Sequence, residues 1–512
     1  MKKENIFFLS FFVLIFIIYG QSLWGGFVFD DRGILEHQAL LVGIENIFRV
    51  LSFPYWTIDA GLYRPVTLLS YSLNFSVFGV GAWGFHLVNL LIYFGIVSLV
   101  FVLLKKVFNK EWLAYLSALV FLVLPIHTEV VANITGRSEL LALLFLLLTL
   151  FELTKEKPSY WLTGLWTFLA VGSKETAIAV APLTLILVSM REGSIGVHVW
   201  KKYFLPISGI ALGTLLYFFF RFFVLGTEHF LGVETSVIEN SLLFAEPLHR
   251  IGTALGILWM YVSKTFWPAN LCSDYSFNQI PVITTFFNTQ VMLGLSVLIA
   301  SFVSIIYFWK KNPFVSFASA ILFFGFIVVS NIPFPIGTVA GERLFFFPSL
   351  GLAMILALVL SKIKWRWIPI LLILVYGIVS FDRQSDWLSE ERLFLSAKKC
   401  APESVLSLSN AGTVYYFNGE YDKAAKVLER SREIRPVYSK GLNNLGLVYW
   451  KQGRNDEARE MYYESLKQKY PYDGAIENLV LLYISEGDRE SALRWLRIMY
   501  PNAGDSALQN LF

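Results

Sequence analysis

The chain has 512 residues, of which 56% are hydrophobic and only 16% are charged. This composition and a mean hydropathy of +0.58 exclude an ordinary soluble domain and indicate a protein that crosses a membrane several times. The formal net charge of +4 is not gathered in any basic stripe of the kind that binds nucleic acid, so no nucleic-acid partner is expected.

Eleven apolar runs in the first three quarters of the chain are candidates for membrane-spanning helices. They lie near residues 5–24, 86–104, 112–126, 138–153, 159–172, 176–190, 203–222, 289–309, 314–332, 346–361 and 366–381. When the chain is threaded alternately through them, most lysines and arginines of the short loops fall on the side of the amino terminus. The positive-inside rule makes that side cytoplasmic. An all-α membrane bundle of about 11 spans is therefore predicted for residues 1–382.

The same threading places two long loops outside the cytoplasm. They are a first outer loop over residues 25–85 and a large outer loop over residues 223–288. Residues 248–266 of the second loop are amphipathic enough to cross, but a crossing there would move every later basic loop to the outer side. We therefore interpret residues 248–266 as a re-entrant or surface helix.

Charged residues become frequent after residue 382, and the sequence there repeats with a period of 34 residues. Gly419, Gly453 and Gly487 have this spacing, and a tyrosine lies four residues before each of them. A 34-residue period with small residues where two helices meet is the signature of the tetratricopeptide repeat. Residues 383–512 are predicted to form an extracytoplasmic α-solenoid of three repeats and a preceding half repeat. Its concave surface would suit a protein partner.

The chain has two cysteines, Cys272 and Cys400. Two are too few for a disulfide framework or a cysteine-rich metal site. A bridge between them requires that both face an oxidising compartment, and two free thiols are the expectation.

Charged residues on the predicted outer face gather in six short motifs. The first, FDDR at residues 29–32, holds the adjacent carboxylates Asp30 and Asp31. Adjacent carboxylates repel each other and lose solvation near hydrocarbon, so a functional gain has to offset that cost. The other candidates are Arg64, His127, Glu129, Arg137, Glu139, Lys174, Glu175, Arg221 and Arg343.

Charges of both signs on different helices can converge at one membrane face. A lipid-linked phosphosugar is a substrate that needs both signs there. Its phosphate requires arginine or lysine, its polyprenyl tail requires an apolar groove, and the incoming hydroxyl requires a carboxylate base.

The ordered motifs FVFDD, YRPVT, HTEVVAN, GRSELLA, SKET and GERLFFFPS, followed by the repeats, carry a family resemblance. They resemble the transmembrane and tetratricopeptide-repeat (TMTC) family of O-mannosyltransferase-like proteins, of the GT-C class of membrane glycosyltransferases. The resemblance covers nearly the whole chain. It implies that a polyprenyl-phosphate sugar, with mannose as the family's sugar, is the donor. The acceptor would be a hydroxyl of a protein or glycan outside the cytoplasm, and transfer would invert the anomeric centre.

The resemblance also implies roles for the charged residues. Asp30 is expected to be the general base, and Asp31 to orient the acceptor or to raise the basicity of Asp30 by like-charge coupling. Glu129 is the candidate for a second catalytic acid. The expected substrate-binding residues are Arg64, His127, Arg137, Glu139, Lys174, Glu175, Arg221 and Arg343. Some relatives use a divalent metal such as Mg²⁺ or Mn²⁺ between phosphate and acid, and the sequence leaves that open.

Structural alternatives remain for these residues and for the protein. Arg137 could pair only with Glu139, and Lys174 only with Glu175, as local ion pairs that fix helix ends. The whole chain could also be a non-catalytic scaffold, in which the bundle anchors the repeats for an envelope assembly. The compact chain favours a bacterial plasma membrane, with the endoplasmic reticulum as the alternative.

Overall fold

The computed structural model describes residues 3–36, 41–42, 47–57, 60–194, 196–230 and 235–500. These residues form helices and loops and contain no strand, so the all-α fold class is confirmed. The chain divides into two compact units. One comprises Met1–Ser273 and Val282–Leu393, and the other comprises Asp274–Pro281 and Phe394–Phe512. Residues 501–512, which were predicted to belong to the repeats, lie outside the described part.

The first unit is a bundle of apolar helices joined by short loops. Its α-helices are Lys3–Tyr19, Arg32–Glu36, Ile47–Val50, Pro65–Phe78, Ala82–Phe108, Glu111–Val123, Thr128–Ala132, Arg137–Glu152, Tyr160–Ser173, Val180–Glu192, Val197–His229, Pro247–Phe266, Thr289–Tyr307, Pro313–Val329, Phe346–Lys362 and Trp367–Gln384. Short 3-10 turns, among them Phe29–Asp31, Glu175–Ala179, Glu342–Phe345 and Ser385–Leu388, join several of them.

Seven helices of the described residues are long and apolar enough to cross a membrane, or up to eight if one bent pair forms a single span. The protein is thus an integral membrane protein, but the predicted number of eleven spans is not confirmed. All eleven apolar runs are helical, and several are too short to count alone, such as Pro313–Val329. The amphipathic helix Pro247–Phe266 has 20 residues and is not among the seven.

Small residues let two of the bundle's helices approach closely. A Cβ atom on Gly213 would lie 2.3 Å from the carbonyl oxygen of Gly164, and one on Gly209 would lie 2.4 Å from that of Tyr160. These contacts join the helices Tyr160–Ser173 and Val197–His229. Any larger side chain would force them apart, which is why small residues are favoured where membrane helices pack.

The second unit consists of paired antiparallel helices with the predicted repeat. Its helices are Glu390–Cys400, which begins in the first unit, then Val405–Phe417, Tyr421–Ile434, Ser439–Lys451, Asn455–Leu466, Gly474–Glu486 and Arg489–Met499. In the second repeat, a Cβ atom on Gly446 would lie 2.6 Å from the ring of Tyr462. Because a side chain there would collide with the partner helix, the 34-residue spacing of small residues follows from the packing.

The expectation of two free thiols is wrong, because Cys272 and Cys400 are each disulfide-bonded. Disulfides persist in oxidising compartments and are rare in the cytosol. The placement of residues 223–288 and of the repeats outside the cytoplasm stays a prediction.

Candidate functional site

The two adjacent aspartates point to different surroundings. Asp31 is fully buried, and its carboxylate accepts backbone N–H bonds from Thr135 at 2.8 Å, from Val28 at 3.2 Å and from Ile134 at 3.4 Å. Asp31 thus ties the first outer loop to the turn that follows the helix Thr128–Ala132. The side chain of Asp30 is 34% exposed, so this is the carboxylate that a substrate can reach.

Burial also changes the acidity of Asp31. Loss of hydration raises the pKa of its carboxyl from 3.8 to about 7, and the charge of Asp30 adds to this effect. The three backbone donors oppose the rise, since they stabilise the carboxylate. Two neighbouring acids in one turn therefore differ in environment and can carry different roles.

A proline bend brings Glu129 to the same place as Asp30. Pro125 ends the helix Glu111–Val123, and the chain turns by 56° into Pro125–Ala132. In this position Glu129 accepts the backbone N–H of Arg343 at 3.0 Å, and Nη1 of Arg343 lies 3.6 Å from its Oε1. The same Nη1 lies 2.9 Å from Oδ2 of Asp30. One guanidinium therefore stands between two carboxylates that are distant in sequence.

Tyr261 holds the turn that carries Arg343, and sequence reasoning missed it. Its hydroxyl donates to the carbonyl oxygen of Gly341 and accepts the N–H of the same residue, both at 2.9 Å. Its ring stacks on Phe345 at a centroid distance of 4.9 Å. Tyr261 lies on the amphipathic helix Pro247–Phe266, so the segment that is hardest to place by hydropathy supports the site.

Lys174 pairs with Glu139, and both side chains are less than 10% exposed. The pairing with Glu175 that was considered from sequence is therefore not the one the structure contains. Burial lowers the pKa of Lys174, Glu139 opposes this effect, and the positive charges of Arg64 and Arg343 lower it further. Lys174 therefore lies close enough to both Arg64 and Arg343 for their charges to act on it, and we treat these residues as one charged site.

Glu175 forms the other end of this charged site. Its carboxylate accepts hydrogen bonds from Nε of Arg64 at 3.2 Å and from Nη1 of Arg221 at 3.1 Å. Burial alone would raise the pKa of Glu175, but the two arginines outweigh it and the pKa is lowered. Arg221 also donates to the carbonyl oxygen of Gly61 at 2.6 Å, which ties the first outer loop to the helix Val197–His229.

Two predicted site residues lie inside the protein with internal partners. Arg137 has no exposed surface and donates to the side-chain oxygen of Asn89 at 2.8 Å and to the carbonyl oxygen of Phe85 at 2.7 Å. It does not form the considered ion pair with Glu139, whose partner is Lys174. His127 is equally buried, and its ring nitrogens contact the hydroxyls of Tyr93 and Ser349.

The residues of the site do not form a conventional metal-binding group. Among the residues described, no three of the types His, Cys, Asp and Glu gather as metal ligands. The cation between Asp30 and Glu129 is the guanidinium of Arg343. The side chains present therefore do not fit a metal bound between these acids.

These observations define a class: an integral membrane protein with a polar acid–cation site in its interhelical loops and a tetratricopeptide unit in the same chain. Comparison with known proteins agrees. A family model described as dolichyl-phosphate-mannose-protein mannosyltransferase matches residues 64–223, and one described as tetratricopeptide repeat matches residues 410–474. The first match includes Glu129, Lys174 and Arg221.

Three curated relatives are similar to most of the chain. It is 27% identical to protein O-mannosyl-transferase F38B6.6 of Caenorhabditis elegans, with 83% of this chain and 62% of that protein aligned. It is 27% identical to protein O-mannosyl-transferase TMTC3 of Homo sapiens, with 82% and 50% aligned. For protein O-mannosyl-transferase Tmtc1 of Drosophila melanogaster the identity is 24%, with 83% and 61% aligned. The resemblance to the transmembrane and tetratricopeptide-repeat family is confirmed.

These relatives are longer than this chain and come from animals. The chain spans between one half and two thirds of the length of these three relatives. The relatives are animal proteins, so the bacterial location expected from the compactness of the chain gains no support from them.

Proposed function

We propose that this protein is a membrane glycosyltransferase that transfers a sugar, foremost mannose, from a polyprenyl-phosphate donor to an acceptor hydroxyl outside the cytoplasm. Asp30 is the general base and Arg343 the principal phosphate contact. The names of the relatives support the reaction class and the sugar. The description of the family model matched by residues 64–223 supports a lipid-phosphate donor.

The observation that carries the proposal is the pairing of Asp30 with Arg343. Oδ2 of Asp30 accepts from Nη1 of Arg343, whereas its Oδ1 has no partner within the described part of the chain. Over the same residues, no protein group accepts from Nη2 or Nε of Arg343, and 30% of this side chain is exposed. The free carboxylate oxygen suits an incoming hydroxyl, and the free guanidinium edge suits a phosphate on the opposite face of the sugar carbon.

The reaction follows from this arrangement. The acceptor oxygen forms a bond to C1 of the sugar from the face opposite the phosphate, and its proton passes to Oδ1 of Asp30. The bond between C1 and the phosphate oxygen breaks, and its electron pair stays on the phosphate. Arg343 stabilises the added negative charge on this leaving group. A phosphomonoester leaves without a dedicated general acid, because it needs little protonation at neutral pH.

The other charges have supporting roles in this scheme. Asp31 holds the loop of Asp30 in place, and Glu129 orients Arg343 through its backbone and side chain. Lys174 and Arg64 add positive potential around the phosphate. The buried Arg137 and His127 maintain the packing of the loops and do not touch the substrate.

The repeat unit is the second part of the proposed function. Its paired helices form the architecture that binds peptide segments in other proteins, and the described residues 405–499 contain three such pairs. This unit would hold an acceptor protein or a partner, outside the cytoplasm. It does not take part in the chemistry.

A direct transfer assay separates the enzyme from the alternative, a non-catalytic membrane scaffold. Purified full-length protein is supplied with polyprenyl-phosphate mannose and a threonine-rich peptide, and mannosylated peptide is measured by mass spectrometry. We expect transfer by the wild type and none by Asp30→Ala of equal stability. A scaffold would give no product in either case, and equal product from both would remove Asp30 from the mechanism.

A further inference from the structure

The backbone immediately before Asp30 has an unusual conformation. Phe29 has φ = 52°, in the left-handed region that bulky side chains rarely adopt. Such a conformation persists only when neighbouring groups enforce it, and it is found mainly at functional sites. Because Phe29 precedes Asp30 directly, the groups that fix Phe29 also set the direction of the Asp30 side chain.

Glu390 is one of these groups. Its Oε1 accepts the backbone N–H of Phe29 at 3.3 Å, and its other oxygen pairs with the guanidinium of Arg32. One carboxylate therefore holds residues on both sides of the two aspartates. A third contact strengthens this attachment, since the N–H of Gly26 donates to the carbonyl oxygen of Leu388 at 3.3 Å.

The local sequence favours a charged glutamate at this point. Glu390 is the first residue of the helix Glu390–Cys400, and the hydroxyl of Ser389 accepts the N–H of Arg392 in its first turn. The positive end of the helix dipole stabilises an acidic side chain there. The same helix leads along the chain to the repeats.

We propose that Glu390 is a positioning residue for Asp30: it fixes the strained turn at Phe29 so that the free oxygen of Asp30 faces the acceptor hydroxyl. This inference rests on the proposed function. Arg343 holds only one oxygen of Asp30, so the direction of the other depends on the backbone turn. A displacement of about 1 Å in such a group lowers a catalytic rate about 100-fold.

The test compares Glu390→Ala and Glu390→Gln with the adjacent exposed carboxylate, Glu391→Gln, as the matched control. In the transfer assay with polyprenyl-phosphate mannose, Glu390→Ala is expected to lower kcat at least about tenfold. The KM for the donor should stay within about twofold, because the phosphate contacts are unchanged. Glu391→Gln should keep the kcat of the wild type.

Glu390→Gln separates the two contacts of Glu390. Its amide oxygen still accepts the N–H of Phe29, but its ion pair with Arg32 is lost, so kcat should fall only about two- to fivefold. The amide has the size of the carboxylate, so this variant is expected to fold and decides the question if Glu390→Ala does not. A wild-type kcat for Glu390→Gln would then overturn the proposal, as would a wild-type kcat for a folded Glu390→Ala.

A rescue experiment distinguishes positioning from general support of the fold. Asparagine tolerates positive φ better than phenylalanine does, so Phe29→Asn in the Glu390→Ala background should restore part of kcat. No recovery in a folded double variant would contradict the route through Phe29. If Asp30→Ala retains transfer, the proposed function itself fails. If Asp30→Ala is inactive while Glu390→Ala is fully active, only the present inference fails.

Discussion

Arg343 donates a hydrogen bond of 2.9 Å to Asp30, and this contact joins residues that lie 313 positions apart in the chain. The same nitrogen lies 3.6 Å from Glu129. The group proposed to hold the phosphate thus also holds the proposed base. Binding of the donor phosphate at Arg343 would therefore fix the position of C1 of the sugar relative to Asp30, which takes up the proton on the other face of that carbon.

Replacing Asp30 by asparagine tests its role as the general base. Asp30→Asn keeps a hydrogen-bond acceptor for Arg343 but cannot take up a proton, so kcat should fall about 100-fold or more. The exposed carboxylate Glu36→Gln, later in the same outer loop, is the control and should keep full activity. An Asp30→Asn variant with more than one tenth of the wild-type kcat would be incompatible with a general base at this position.

Replacing Arg343 by lysine tests the phosphate contact. Arg343→Lys preserves the charge but lacks the second N–H edge of the guanidinium, so it should raise the KM for the donor and lower kcat, together about 100-fold in kcat/KM. The measurement is steady-state transfer over a range of donor concentrations. Arg392→Lys, at an exposed arginine, serves as the control. If Arg343→Lys changed neither parameter, the phosphate would have to bind elsewhere.

The buried Asp31 should make stability depend on pH. Its folded-state pKa of about 7 lies above the ordinary value of 3.8, so folding favours the protonated form. This contribution is fully present below pH 3.8 and is lost as the pH rises through about 7. The difference in Tm between the wild type and Asp31→Asn should therefore shrink over that interval.

Tryptophan-fluorescence melts at several pH values measure this difference. Asp473→Asn, at an exposed aspartate of the repeat unit, is the control whose Tm should follow the wild type at every pH. A Tm difference between the wild type and Asp31→Asn that widens with rising pH would contradict the predicted direction of the pH dependence. It would mean that the three backbone donors outweigh the burial of the carboxylate.

The packing of the second repeat can be tested without any assumption about activity. A side chain at Gly446 would collide with Tyr462, so Gly446→Val should lower the free energy of unfolding by about 1–3 kcal/mol. The third repeat has Val480 and Leu496 at the corresponding positions. Adding Tyr462→Leu to Gly446→Val should therefore recover part of the loss.

Thermal melts of the single and double variants measure this coupling. Tyr462→Leu alone is the required control, because it opens a cavity in the wild-type background. If the double variant is no more stable than the sum of the two single changes, the collision with Tyr462 is not the reason for the glycine.

The sequence predicts the repeat unit well, because its period reflects a packing rule that each repeat obeys locally. Hydropathy also finds eleven of the bundle's helices, but it misses others, such as Pro65–Phe78. It overestimates the number of spans, since helices such as Pro313–Val329 are apolar but short. The free thiols were mispredicted, because whether a cysteine is bonded depends on the fold and not on its local sequence.

For the site, the sequence predicts that Asp30, Glu129 and Arg343 lie in the same region, and in the structure Arg343 contacts both acids. The sequence alone does not show which of Asp30 and Asp31 is exposed, because the burial of Asp31 depends on backbone donors about 100 residues away. The partners of the buried Arg137 lie 48 and 52 residues before it in the sequence. Tyr261 and Glu390 contact backbone groups of other loops and belong to none of the charged motifs, so the sequence gives no signal for them.

Four cations of the charged site form ion pairs with four of its carboxylates. The cations are Arg64, Lys174, Arg221 and Arg343, and the carboxylates are Asp30, Glu129, Glu139 and Glu175. Charges that are paired within the protein exert little long-range pull on small free anions. Inorganic phosphate in the surrounding solution should consequently be a poor inhibitor, even at millimolar concentration. Selection of the donor would then depend on its hydrocarbon tail, which concentrates it in the bilayer next to the protein.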